Sequence, residues 1–163
     1  MSSTWNREDF ERATGCRADF CQDNESESVR GVLRGLHYQA PPHAQAKLVR
    51  CAAGRIFDVA VDLRTASPTF GQWCGAELSA ENRLQAWIPE GFAHGFLALS
   101  ERAVVLYKVT APRAAHAERR IRWDDPAIGV RWPLEGEPIL SEPDRAAPLF
   151  RDATDLFSPE TLR

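Results

Sequence analysis

Hydrophobic and polar residues alternate most strictly over residues 55–63. Phe57, Val59, Val61 and Leu63 share one parity there, and Ile56, Asp58, Ala60 and Asp62 the other. A period of two predicts a strand in an antiparallel sheet, one face against a core and the other lining a polar cavity. Residues 103–110 repeat the pattern, with Ala103, Val105, Tyr107 and Val109 on one face. Shorter β-forming runs are predicted at 32–38, 48–52, 70–78, 84–88 and 92–99. Turn signals separate them: Ala40-Pro-Pro-His-Ala44, Gly54, Thr65-Ala-Ser-Pro68, Ser79-Ala-Glu-Asn-Arg83 and Pro89-Glu-Gly91.

The remaining stretches are less regular. Asn6 predicts the cap of a short helix, with Glu8 and Asp9 in its first turn and Gly15 beyond its end. Phe10 and Ala13 share the inner face of that helix. Residues 22–28 read as a strand end and loop, and 111–120 as an irregular charged loop. The tail from Trp123, rich in proline and acids, is expected to wrap the outside of a barrel. Regularly spaced short strands with turns between them predict an all-β jelly roll or barrel with short peripheral helices. Residues 1–163 are expected to form a single domain.

Composition narrows the classes. Twenty basic against 23 acidic residues give a net charge of −3 without a basic tract, which argues against nucleic acid or an anionic membrane as partner. No apolar run approaches the about 20 residues of a transmembrane helix. The opening Met-Ser-Ser-Thr-Trp-Asn-Arg has no apolar leader segment, so a cytoplasmic location is expected. Cys16, Cys21, Cys51 and Cys74 lack metal-finger spacing and read as reduced, mostly buried thiols.

Several polar side chains fall on strand faces that alternation assigns to the interior. His37 shares parity with Leu33 and Gly35. Alone, a strand histidine is usually a hydrogen-bonded structural residue. Lys47 shares parity with Val49 and Cys51, and an inward lysine is rare because burying an ammonium is costly. It calls for a carboxylate, with Asp58 and Asp62 the candidates, or a substrate anion; a side chain snorkelling from the strand edge is the bland alternative. Tyr107 reads as a core tyrosine, or as a proton donor to a carbanion. His94 follows a tight turn and points toward the barrel mouth. Asp144, on a turn-like segment, reads alone as a solvated acid. Two histidines without supporting carboxylate spacing make a poor metal site, so no metal is expected.

At a larger scale the motifs resemble a known family. Gly31-Val-Leu-Arg-Gly-Leu-His-Tyr-Gln39, Phe57-Asp-Val-Ala-Val-Asp-Leu-Arg64, Ser67-Pro-Thr-Phe-Gly71, Ile88-Pro-Glu-Gly-Phe-Ala-His-Gly-Phe96 and Arg122-Trp-Asp-Asp-Pro126 closely resemble the dTDP-4-dehydrorhamnose 3,5-epimerases. The resemblance implies a cupin-type jelly-roll homodimer without metal or organic cofactor. It implies inversion of C3, and often C5, of a 4-keto-6-deoxyhexose carried on dTDP. Carried over by motif, His37 resembles the base and Asp144 its orienting carboxylate. Lys47 resembles the cation near the enolate oxygen, and Tyr107 the acid on the far face. Gln22, Asn24, Arg34, Asp58 and His94 resemble substrate-binding positions.

Three departures from the family pattern stand out. The usual N-terminal strand segment, with its Arg-Gly-Phe-Phe-x-Glu-like contacts, would end where Trp5 stands, so its contacts are expected to be missing. An Asp-Tyr-Tyr after the Tyr-Lys strand is replaced by Ala111-Pro-Arg113, and the basic residue before Asp144 by Pro143. These bear on nucleotide affinity, dimer geometry and the number of carbons epimerised. The resemblance leaves two alternatives: a 3-epimerase serving an unusual deoxysugar, or a non-catalytic nucleotide-sugar-binding cupin.

Overall fold

The computed structural model describes residues 3–162, which form two antiparallel sheets packed face to face. One sheet has the order β1 (Gln22–Val29), β8 (Arg102–Val109), β3 (Lys47–Ala53), β6 (Gln85–Ile88). The other runs β5 (Trp73–Ser79), β4 (Arg55–Asp62), β7 (Phe92–Ala98), β2 (Leu33–Gln39), β9 (Glu118–Arg120). Helix α1 (Arg7–Thr14) is capped as its sequence predicts: the Asn6 side chain accepts from the Glu8 and Asp9 amides, and Gly15 closes it in a left-handed conformation. Phe10 is buried beneath it, but Ala13 is exposed, because the aromatic cluster of Trp5, Phe10, Phe20 and Trp87 already covers the sheet there.

The strand β4 is buried on both faces. Ile56 and Ala60 pack between the sheets with Val49, Cys51, Leu78, Phe96 and Val105. Val59, Val61 and Leu63 pack outside, under Ile121 just after β9 and under the tail residues Ile128 and Phe157. The tail therefore wraps the five-stranded sheet as expected, and its apolar anchors convert a predicted barrel exterior into a second core. Asp62 belongs to neither core. It binds Arg64, Ser67 and Thr69 of its own turn, which hold its carboxyl well below the usual range despite the opposing effect of burial.

Sequence patterning misses two strands. Residues 22–28 are not a loop: β1 pairs with β8 along its whole length. Gln22, Asn24 and Ser26 are half-buried toward the interior, while Asp23, Glu25 and Glu27 face out. An edge strand lining a polar space needs no apolar parity, and Asp23–Lys108 and Glu27–Arg102 pairs tie it across. Likewise, residues 111–120 end in β9, which pairs with β2. The strand predicted from Phe70 begins at Trp73, after a tight turn. Among the cysteines only Cys51 is buried; Cys16, Cys21 and Cys74 are exposed.

The pairing of β2 with β7 is unusually close. A Cβ on Gly95 would lie 2.7 Å from the Arg34 carbonyl oxygen, and one on Gly35 would lie 2.6 Å from the Gly95 Cα. Gly35 also holds φ at +132°, a conformation that L side chains rarely adopt. Beyond this contact the register shifts, and His37 comes opposite His94. We predict that Gly95→Ala, which forces backbone against backbone, costs about 1–3 kcal/mol of stability. Denaturant unfolding measures it, and a variant as stable as the parent would show that the strands can part without penalty.

Candidate active site

The two sheets are dry at one end and open at the other into a cavity of about 310 Å³. Each sheet contributes part of the wall. From the four-stranded sheet come Gln22 and Asn24 of β1, Lys47 of β3 and Tyr107 of β8. The five-stranded sheet supplies Arg34 and His37 of β2, His94 of β7, and all three residues of β9. Strict alternation places Arg34 and His37 on opposite faces of β2. The register shift between them turns both into the cavity.

His37 is held by Asp144, with Nε2 2.5 Å from Oδ1. Asp144 sits on α2 (Glu142–Arg145), whose first turn contains Pro143 and is capped by the Ser141 hydroxyl accepting from the Asp144 amide. The carboxylate is buried at 3 % exposure, contrary to the solvated reading of its sequence context. Burial alone would raise its proton affinity. Bonds and charge from His37, with help from Ser141 and the Gly35 backbone, outweigh that and hold the carboxyl below its usual range. The histidine ring is 37 % exposed toward the cavity, so it can exchange protons.

A second histidine–carboxylate pair lies beside the first. His94 Nε2 is 2.6 Å from Asp58 Oδ1, and both side chains are buried. Asp58, expected among the substrate-binding positions, therefore stands behind His94 rather than in the cavity lining, and any part it takes in binding goes through His94. Of the two aspartates expected to answer Lys47, Asp62 is tied into its own turn and does not. Lys47 does point inward, as its parity predicts. Burial lowers its ammonium to about 8, while the charges of Asp58 and Glu118 oppose that. Among the described residues, no group of three or more histidines, cysteines and acids is placed to hold a metal ion.

Tyr107 rises from the opposite sheet to His37, directly across from Asn24 of β1. Burial raises its phenol, and the positive charges of Arg34 and Arg113 act against that. Gln22 donates to Asn24 at 2.7 Å, fixing the pair at the cavity wall. Arg34 is held by the Ser28 hydroxyl and the Glu27 carbonyl, with part of its guanidinium still free to face a ligand.

Sequence reasoning missed a charged rim. Arg113, in the departing Ala111-Pro-Arg113 stretch, lines the cavity and binds Glu118 at 2.6 Å. Gln39 and Gln45 pin its loop by bonds to the Pro112 and Ala111 carbonyls, and the Ala114 amide donates to Gln39. Three residues of strand give no readable periodicity, so nothing in the pattern marked Glu118, Arg119 or Arg120 as cavity residues.

This antiparallel jelly roll, with His37 of one sheet backed by Asp144 of α2 and with Lys47 and Tyr107 on the other sheet, is a cupin-like fold with a pocket equipped for proton transfer. The family model of dTDP-4-dehydrorhamnose 3,5-epimerase matches residues 1–152, and the chain belongs to that family. It is 57% identical to the dTDP-4-dehydrorhamnose 3,5-epimerase of Pseudomonas aeruginosa, over 92% of this chain and 82% of the relative. A Legionella pneumophila dTDP-6-deoxy-D-glucose-3,5-epimerase, solved with dTDP-4-keto-L-rhamnose, is 48% identical with TM-score 0.87, covering 90% of this chain and 78% of its own. NovW, a 4-keto-6-deoxy sugar epimerase of Streptomyces spheroides, has TM-score 0.91 at 38% identity, covering 99% and 82%.

The state of Lys47 has a consequence for stability. Its folded-state value lies below that of an unfolded lysine, about 10.4, so folding disfavours the charged form. That penalty is complete below about pH 8 and fades as pH rises toward the unfolded value. Lys47→Met is therefore expected to melt at a higher temperature than the parent near neutral pH. The gain should shrink above about pH 10. Thermal melts at the two extremes test this, and a variant less stable at neutral pH would mean that the ammonium is well paired.

Proposed function

We propose that this chain epimerises C3 and C5 of a dTDP-linked 4-keto-6-deoxyhexose, in the making of a rhamnose-type deoxysugar. One observation carries the reading: His37, held from behind by Asp144, and Tyr107 line one cavity from opposite sheets, with Lys47 in the same lining. The keto group acidifies the C–H bonds on both neighbouring carbons. His37 takes a proton from one face, and the electron pair moves onto the keto oxygen to give an enolate. The Lys47 ammonium, poorly solvated and so strongly felt, stabilises that oxyanion. Tyr107 returns a proton from the other face. The imidazolium then loses its proton to water and the phenolate regains one, so the cycle closes without a redox step.

Asp144 orients the ring of His37 and stabilises its cationic form. Arg34 and the arginines of the rim supply positive charge for the diphosphate. Gln22 and Asn24 offer amides to the sugar or base, and His94, braced by Asp58, forms part of the pocket. The free cysteines among the described residues fit a reducing, cytoplasmic setting. No helix among the described residues is long and apolar enough to cross a membrane. The functional unit in this reading is a homodimer, supported by the unpaired edge of β1 beside the cavity and by Val29, 58 % exposed at its end.

Incubation with dTDP-4-keto-6-deoxyglucose in D₂O tests the reaction, with exchange at C3 and C5 read by NMR. Deuterium is expected at both carbons. His37→Asn should lower the rate by about 10²–10⁴-fold without loss of dTDP binding, and Asp144→Asn should lower it less. Exchange at C3 alone would make the chain a 3-epimerase, and binding without exchange would make it a non-catalytic binding module. Light scattering of the purified protein reports the oligomer; a monomer at working concentration would remove the dimer from the reading.

A further inference from the structure

The short strand β9 brings a second cation to the carboxylate that holds His37. Its pairing with β2 sets Arg120 opposite His37 and Glu118 opposite Gln39. Arg120 Nε donates to Asp144 Oδ1 at 3.3 Å, the same oxygen that His37 Nε2 meets at 2.5 Å. The guanidinium is also held from its other side. Its Nη2 lies 3.5 Å from Glu118 Oε2, and Glu118 Oε1 accepts from Arg113 Nε at 2.6 Å. Charges thus alternate along one wall, from Arg113 at the rim through Glu118, Arg120 and Asp144 to His37. The residue before Asp144 is the uncharged Pro143, so the direct cationic partner of the carboxylate, apart from the imidazole, comes from β9.

We propose that Arg120 is a positioning residue for the His37–Asp144 pair, with Glu118 controlling how far it engages the shared carboxylate. This rests on the proposed function only for its catalytic consequence; the coupling itself is a property of the resting protein. A carboxylate oxygen divided between two donors gives less of its charge to either. Arg120 therefore tempers the stabilisation of a protonated His37 and leaves the ring readier to release its proton to water. Glu118 draws Arg120 back and restores part of Asp144 to the histidine. Other groups sharing the cavity with His37 are Arg34 and Tyr38 on its own strand, Lys47 on β3, Tyr107 on β8, His94 on β7 with Asp58 behind it, and Arg119 on β9, which is tied to Asp155. None of these bonds Asp144 among the described residues, so substitutions on β9 isolate the effect.

The test is an NMR titration of the His37 imidazole in the resting protein, with no substrate present. Arg120→Gln is expected to raise its midpoint by about one pH unit, because Asp144 then serves the histidine alone. Arg120→Lys should fall between that variant and the parent. Glu118→Gln should lower the midpoint, and by less when Arg120 is already glutamine. The acid limb of kcat/KM for deuterium exchange should move in step. A midpoint unchanged or lowered in a folded Arg120→Gln protein overturns the proposal and leaves Arg120 a structural contact. If that variant fails to fold, the Glu118→Gln titration decides: an unchanged or raised midpoint overturns it equally. A titration shift without any sugar exchange would instead defeat the epimerase reading and leave the coupling standing.

Discussion

Where β2 and β7 meet, Gly35 and Gly95 bring two backbones closer than any side chain between them would allow. Much of the cavity depends on that approach. It accompanies the slip in register that turns both Arg34 and His37 inward, and it sets His37 opposite His94. With a side chain at either position the strands would separate, and β9, which pairs with the far edge of β2, would move with it. His37, Arg120 and Glu118 all take their places from β2 or its partner. Backbone geometry at two residues without side chains thus places side chains that carry charge.

The space between the sheets is divided. Apolar residues fill one end, where Val49, Val105 and Ile56 exclude water entirely. At the other end almost every ionic group is answered by another: Asp58 by His94, Asp144 by His37 and Arg120, Glu118 by Arg113 and Arg120. Lys47 is different. Asp58 and Glu118 act on it through charge and not through a hydrogen bond, and burial remains the larger influence. A cation left short of partners is unfavourable for the empty fold and useful for an oxyanion that forms only during reaction. The cavity gives up stability at the position where its proposed chemistry needs a cation beside the oxyanion.

How much of this could be read from the chain depended on how each residue is surrounded. Strands β4 and β8 were legible because their alternation is imposed by a core on at least one side. Lys47 was legible for the same reason, as an exception to that rule. β1 was not, because its inner residues face a polar cavity and its outer ones face water, so both parities are hydrophilic. β9 is too short for any period. Parity also misplaced Arg34 relative to His37, since a register slip leaves no mark in composition. The pairing of His37 with Asp144 spans 107 positions, and no local spacing encodes it; only the family resemblance brought the two together. The rim of Arg113, Glu118 and Arg120 lay beyond both kinds of reading.

The two histidine–aspartate pairs show why similar chemistry on adjacent strands need not do the same work. In the His94–Asp58 pair both partners are buried, with side-chain exposures of 8% and 2%, and only the edge of the His94 ring reaches the cavity wall. Such a pair is suited to rigidity: it braces the cavity wall and lends a negative charge to Lys47. The His37–Asp144 pair has an equally buried carboxylate but an open ring, and it alone shares that carboxylate with an arginine. A base that must collect a proton from substrate and release it to solvent in each cycle needs access and a moderate hold on the proton. In the proposed reaction the exposure of the His37 ring would supply the first and the shared oxygen the second. His37 is set apart from His94 not by residue type but by how completely the strands around it close.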